Sequence, residues 1–203
     1  KSEARTQGKE ASEAATTHRL ILVEHTPVFT LGKNGNRSNV LVSDEQLKVL
    51  GIEYFHINRG GDITYHGLQQ VVGYPIVDLD KFKPDLGWYL RSLEEVIILT
   101  LAHYGIAAGR SAGETGVWLD PDNKKLARKI CAMGIKCSRW ITMHGFALNV
   151  STDMTFMREH IVPCGIADYA VTSLLEEGID VSMNDVVDIV ARLAQSRWGS
   201  QHS

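Results

Sequence analysis

Short apolar runs alternate along this chain with polar, glycine-marked segments. Residues 18–24 form an apolar run bounded by polar residues, of a length that suits a buried strand. Residues 28–31 follow Pro27, end at Gly32 and predict a second strand. Ser43 with Gln46 three positions on makes a capping box for a short helix that stops at Gly51. Residues 52–57 and 71–79 are β-prone. Over residues 85–104, Leu86, Leu90, Leu93, Ile97 and Leu101 recur every three or four positions, predicting a helix with Gly105 as its stop. Residues 116–119 and 126–135 flank the turn-forming Asp120-Pro121-Asp122-Asn123, and residues 140–150 are again β-prone. A closing helix over 184–198 places Val186, Ile189, Val190 and Leu193 on one stripe, with Ser182 as its cap. Strands, helix, strands, helix, without regular βα alternation, predict an α+β fold: a mixed or antiparallel sheet packed by helices. The expectation is one domain over residues 1–203, residues 1–17 being the remnant of a first helix or a frayed arm.

Composition narrows the function classes. The 203 residues are 44% hydrophobic and 22% charged, which fits a globular chain and not a disordered one. A net charge of −3 supplies no general basic surface, so neither nucleic acid nor an anionic membrane is an expected partner. The longest apolar run, residues 96–102, is interrupted by Thr100 and is far shorter than the ~20 residues of a membrane span. An odd cysteine set, Cys131, Cys137 and Cys164, fits a reducing compartment, and the cytoplasm is the expected location. The chain opens at Lys1 with no apolar signal region, and an upstream element is expected before it.

Four segments carry polar residues beside glycines at the ends of β-prone runs: residues 59–67, 129–134, 144–149 and 163–165. Glycine lets backbone approach a ligand where a side chain would clash, and loops on a rigid sheet commonly build sites. No GxxxxGK[ST], GxGxxG or GxSxG pattern is present. The Cys131–Cys137 spacing is not that of a zinc knuckle, and no metal site is expected. Period-two alternation puts both cysteines on the face of Met133 and Ile135, as packing residues. Cys164, between Pro163 and Gly165, remains as a candidate nucleophile. A free thiol is only slightly ionised at neutral pH, so it needs a cation nearby. At ~4 Å and an effective dielectric of ~20 a charge pair is worth at most about 4 kcal/mol, roughly three pK units. Lys129, in an otherwise apolar run, is one candidate; the alternative is a surface lysine like Lys124 and Lys125.

Taken in order, these segments resemble the lipoate-protein octanoyltransferases. Residues 24–32 (EHTPVFTLG) resemble the family's EHxPVxTLG stretch, and residues 59–67 (RGGDITYHG) its RGGxxTYHG loop. Gly116-Val117-Trp118, residues 129–135 (KICAMGI), residues 144–149 (HGFALN), Pro163-Cys164-Gly165 and residues 171–174 (VTSL) complete the match from about residue 18 onward. The family's first strand and most of its first helix are expected before Lys1. One departure stands out: the family's HGPGQ appears as His66-Gly67-Leu68-Gln69-Gln70, which puts the shape of that loop in question. Lys136 beside the motif is a rival to Lys129 for the cationic role.

The resemblance implies the biotin/lipoate ligase type of catalytic domain, and an acyltransferase. Octanoyl-acyl carrier protein would acylate Cys164, and a lysine of a lipoyl domain would attack that thioester with Lys129 as acid/base partner. The implied acceptors are the lipoyl domains of 2-oxoacid dehydrogenases and the glycine cleavage H protein, with neither ATP nor metal required. Substrate binding would fall to Arg59, Gly60, Gly61, Asp62, Ile63, Thr64, Tyr65 and His66, together with Ala132, Met133, Gly134, Gly145, Phe146 and Ala147. His144 and Asn149 would support the site. Arg59 and His66 could instead clasp the glycine loop, and His144 could simply close a turn. Burial of an eight-carbon chain at ~0.8 kcal/mol per methylene offers roughly 5 kcal/mol. Lys124, Lys125, Arg128, Lys136 and Arg139 form a candidate basic patch for an acidic carrier. The competing readings are an ATP-dependent lipoate or biotin ligase on the same fold, a non-catalytic acyl- or lipoyl-domain binder, and a cysteine hydrolase.

Overall fold

The computed structural model describes residues 17–162 and 170–199. Its larger sheet runs β1 (Arg19–Val23), β5 (Gln70–Ile76), β9 (Ile141–Asn149), β8 (Arg128–Ser138), β7 (Val117–Leu119), β6 (Ala108–Gly109). Neighbours along this path are antiparallel, and a short strand β10 (Ala170–Val171) joins β8 in parallel, opposite Arg128 and Lys129. A smaller sheet places β2 (Val28–Leu31) between β3 (Glu53–His56), parallel to it, and β4 (Ile63–His66), antiparallel to it. The mixed-sheet α+β expectation therefore holds.

Among the described residues four α-helices cover these sheets: α1 (Asp44–Leu50), α2 (Leu86–His103), α3 (Thr155–His160) and α4 (Met183–Trp198). The capping box at α1 is complete. Ser43 Oγ accepts from the Gln46 amide and the Gln46 side chain accepts from the Ser43 amide, while Gly51 ends the helix at φ 67°. Asp85 caps α2 and Ser182 caps α4, each through its side chain. Leu93, Ile97 and Leu101 of α2 and Val186 and Val190 of α4 are buried with Val71, Ile130, Cys131 and Leu148 of the larger sheet. Phe29, Ile63 and Tyr65 of the smaller sheet form a second core with Leu47 of α1 and Met157 of α3. Each sheet thus gives one face to a helix-covered core.

Two features absent from the sequence reading bear on the site. The polar segment 59–67 contains strand β4, whose alternation sends Ile63 and Tyr65 into the second core and leaves Thr64 and His66 half-buried on the other side. Glu94 of α2 is fully buried; it accepts from Arg91 (2.6 Å) and Arg110 (2.8 Å), and from the Gly116 amide (3.2 Å). Two guanidinium groups offset the cost of burying that carboxylate, and the third bond fixes the chain entering β7.

Candidate active site

A cleft of about 850 Å³ is lined from both sheets. β1, β5, β8 and β9 contribute Ile21, Val72, Tyr74, Ala132, Gly134 and Ala147 among others, and the smaller sheet contributes Thr30, Phe55, Thr64 and His66. Glu114 and Thr115, on the loop held by Glu94, reach its wall. The wall is largely apolar, with a few polar groups at fixed places, the usual make-up of a small-molecule site.

Loop 59–61 ties the two sheets together. The Gly60 amide donates to Ile135 O of β8 (2.9 Å), the Gly32 amide to Asp62 O (3.1 Å), and the Lys33 amide to Arg59 O (2.9 Å). Close approach explains the glycine in β8: a Cβ on Gly134 would lie 2.6 Å from Gly60 O and 3.0 Å from Arg59 Cδ. Arg59 is buried and donates to Thr30 O (2.5 Å), Thr30 Oγ1 (3.0 Å) and Gly60 O (3.0 Å). It therefore clasps the loop and also presents its charge to the cleft.

The cleft's imidazoles are individually set. His66 Nδ1 lies 2.9 Å from Gln70 Oε1, and His25 Nε2 lies 2.7 Å from the Tyr74 hydroxyl. Burial pushes the His66 pKa down to about 4, and the Arg59 and His25 charges push in the same direction against the Gln70 bond. His66 is neutral at physiological pH. Burial, then Arg59 and Lys136, also lowers the proton affinity of His144. His144, inside β9, has a φ of 58°, a conformation that is strained for a non-glycine residue and recurs at functional sites.

Of the residues singled out in the sequence, Arg59, Gly61, Asp62, Ile63, Thr64 and His66 line the cleft. So do Ala132, Met133, Gly134, His144, Gly145, Phe146 and Ala147. Four of the described ones, Gly60, Tyr65, Asn149 and Lys129, are not part of its lining. Gly60 is the joint on Ile135. The Tyr65 ring stacks on Phe156 at 5.0 Å in the second core, because β4 alternates. Asn149 is buried between Gln70 and the Thr172 carbonyl. Gln70, a fully buried residue that sequence reasoning passed over, joins His66 to Asn149.

Lys129 is buried at 6% exposure, which excludes the surface-lysine reading, and its Nζ sits 4.5 Å from the centre of the Trp118 ring. Cys164 lies outside the described residues. Its described flanks are anchored: the Val162 amide donates to Asn39 O (2.8 Å), and beyond β10 the Thr172 amide donates to Lys129 O (3.0 Å). Cys131 is fully buried and burial raises its thiol pKa; Cys137 is half-buried with its pKa raised for the same reason. Both are packing residues as expected.

The proposed basic patch is not one surface. Arg128 is taken up by Glu177 (2.5 Å) and Asp120 (2.5 Å). Lys136 lies eight residues further along the same strand, about 26 Å away at 3.3 Å per residue. Among the described residues no group of three or more His, Cys, Asp or Glu side chains could hold a metal ion. No helix among them is long and apolar enough to cross a membrane.

Comparison with known proteins gives a consistent result. The model of the lipoyl protein ligase A/B catalytic domain matches residues 5–194. An octanoyltransferase of Cytophaga hutchinsonii is 55% identical over 90% of this chain and 75% of its own length. That of Flavobacterium johnsoniae is 53% identical over 88% of this chain and 77% of its own. Among solved structures, a lipoate-protein ligase A bound with ATP superposes with a TM-score of 0.73 at 18% identity, covering 90% of this chain and 73% of that one. The Thermoplasma acidophilum bipartite lipoate protein ligase gives 0.72 at 18% identity, over 90% and 72% of the two chains. At such identities the structures bear on the fold alone, and they bear out the ligase-type catalytic domain.

Proposed function

The chain belongs to the lipoyl protein ligase A/B catalytic domain family, and we propose that this octanoyltransferase works through a Cys164 thioester in the cleft, assisted by Lys129. It transfers an octanoyl group to the lysine amine of lipoyl domains. In the first step the Cys164 proton passes to Lys129 and the thiolate attacks the carbonyl carbon of octanoyl-acyl carrier protein; the bond to the carrier sulfur breaks, and that sulfur takes the proton from Lys129 and leaves as the carrier thiol. In the second, the acceptor's neutral ε-amine attacks the enzyme thioester, the amide forms, and Cys164 is released. The proton lost by the amine returns to Cys164 through Lys129.

The observation that carries this reading is the burial of Lys129 on β8 beside β10, the strand that follows residues 163–169. A lysine held away from solvent there has no surface role. The donor thioester brings its own activation, so the reaction as proposed needs neither ATP nor a metal. The acceptors proposed are the lipoyl domains of 2-oxoacid dehydrogenases and the glycine cleavage H protein. The cytoplasm is the proposed location.

Incubation with octanoyl-carrier protein, followed by intact-mass measurement, should show one added octanoyl group that is lost in Cys164→Ala. Transfer to an apo lipoyl domain should then proceed with ATP absent. An adduct that persists in Cys164→Ala, or transfer that requires ATP, would sink the proposal.

A further inference from the structure

The Gln70 side-chain amide is completely buried and bonded at both ends. Its Nε2 donates to Tyr65 O (3.2 Å) and to Asn149 Oδ1 (2.8 Å); Asn149 Nδ2 in turn donates to Thr172 O (2.9 Å). The two backbone carbonyls can only accept. Each amide must therefore turn its NH₂ toward a carbonyl, which leaves Asn149 Oδ1 for Gln70 and Gln70 Oε1 for His66 Nδ1. An oxygen facing Nδ1 at 2.9 Å requires the proton on that nitrogen. The orientation of two peptide groups is thus transmitted through two amides to the tautomer of a cleft histidine.

We propose that Gln70 is a positioning residue for acyl transfer, holding His66 protonated on Nδ1 so that a bare Nε2 accepts a hydrogen bond from a substrate N–H in the cleft. The inference rests on the reading of the cleft as the transfer site. His66 lines that cleft, and the neighbouring His25 has its Nε2 committed to Tyr74, so it does not compete for the same donor. The charged and titratable groups facing His66 are Arg59 from the glycine loop and His25 from the β1–β2 connection. Both disfavour an imidazolium, so Nε2 stays an acceptor. The same chain of bonds ends on the Thr172 carbonyl, and the amide of that residue donates to Lys129 O, so the relay also joins the cleft wall to the strand that carries Lys129. Two substrate N–H donors fit: an amide of the donor's thiol-bearing arm, or the acceptor's amine.

Nitrogen NMR of the whole protein labelled in histidine is the direct test. Wild-type His66 should show a protonated Nδ1 and an unprotonated Nε2 between about pH 5 and 8. Gln70→Leu should give mixed tautomers and slow transfer about tenfold, the scale of one lost hydrogen bond. Gln70→Glu, near-isosteric, should raise the proton affinity of His66 and move the acid limb of the rate profile upward by about one unit or more. Slower acylation from octanoyl-carrier protein would identify the donor amide as the bound N–H, and slower discharge onto the lipoyl domain the acceptor amine. A wild-type His66 protonated on Nε2 would overturn the proposal. So would folded Gln70 variants with altered tautomers and unaltered rates in both half-reactions. The NMR result does not depend on Cys164, so failure of the thioester reading would be seen separately, as a wild-type protein that takes up no octanoyl group.

Discussion

The Gln69 amide donates to Glu24 Oε1 across 45 residues of sequence, at 2.5 Å, with Gln69 at φ 61°. This is the position at which the resembling family's HGPGQ has glycine, and the structure shows what replaces the lost freedom. A left-handed glutamine costs about 1 kcal/mol. The cost is offset by the Glu24 bond and by Gln69 O, which accepts from the amides of Val150 (3.1 Å) and Ser151 (3.3 Å) and from Thr152 Oγ1 (2.8 Å). The loop is held in place, and His66 still faces the cleft.

Gln69→Gly should therefore stabilise the fold by about 1 kcal/mol and raise Tm by roughly 2–4 °C, with acyl transfer unchanged. Glu24→Ala should lower Tm, since it leaves a charge-assisted bond unmade. Thermal unfolding of the two variants decides the matter; a Gln69→Gly variant less stable than wild type would show that the left-handed residue is not strained.

Acid should destabilise this protein through His66. Its pKa is about 4 in the folded chain, below the ordinary histidine value of 6.5. The unfolded chain binds the proton first, so this contribution is intact above pH ~6.5 and is lost as pH falls toward about 4, by about 3 kcal/mol in all. Urea unfolding at about pH 7 and pH 4.5 should show a smaller acid loss in His66→Gln than in wild type. Equal losses in the two proteins would assign the acid sensitivity to other groups.

Gly134→Ala should displace loop 59–61. The new methyl would meet the Gly60 carbonyl, which is backbone and cannot turn aside, as well as Arg59. A cost of about 1–3 kcal/mol in stability is expected, along with slower acylation, because Arg59 and the cleft wall move together. Gly105→Ala serves as a contrast: this glycine has a positive φ, 78°, but nothing lies within 4 Å of its Cβ, so the substitution should lose stability without a change in acylation rate.

Elements with strong local signals were legible in the sequence, and those made by long-range closure were not. The Ser43–Gln46 capping box and the α2 stripe from Leu86 to Leu101 specify themselves within a few residues. Helix α3 has Met154 at its N-cap and no side-chain cap bond, so nothing in the sequence announces it. β10 spans two residues and exists through pairing with Arg128 and Lys129. Tyr65 reads with its neighbours as a substrate-binding residue because the glycines around β4 hide a four-residue alternation that turns its ring away from the cleft. Gln70 was visible as a residue of the motif. Its function as a relay depends on Tyr65 O, Asn149 and Thr172, up to 102 residues away, and no local pattern encodes that meeting.

Lys129 and Lys136 can be separated by one pair of variants. Lys129 is buried against Trp118, whereas Lys136 is half-exposed opposite Met143, about 23 Å further along β8 at 3.3 Å per residue. Replacing Lys129 with Met keeps an unbranched side chain of similar length at this buried position and removes the ammonium that sits over Trp118, so the protein should fold. Its acylation by octanoyl-carrier protein should fall by about two to four orders of magnitude, the range of acid–base assistance. Lys136→Ala should acylate at close to the wild-type rate. It should instead raise the proton affinity of His144, because the Lys136 charge is one of the influences that lower it. Stopped-flow acylation of both variants and NMR titration of His144 test the two halves independently. If Lys136→Ala slows acylation while Lys129→Met does not, the cationic partner of Cys164 lies at the hairpin end of β8 and not beside β10.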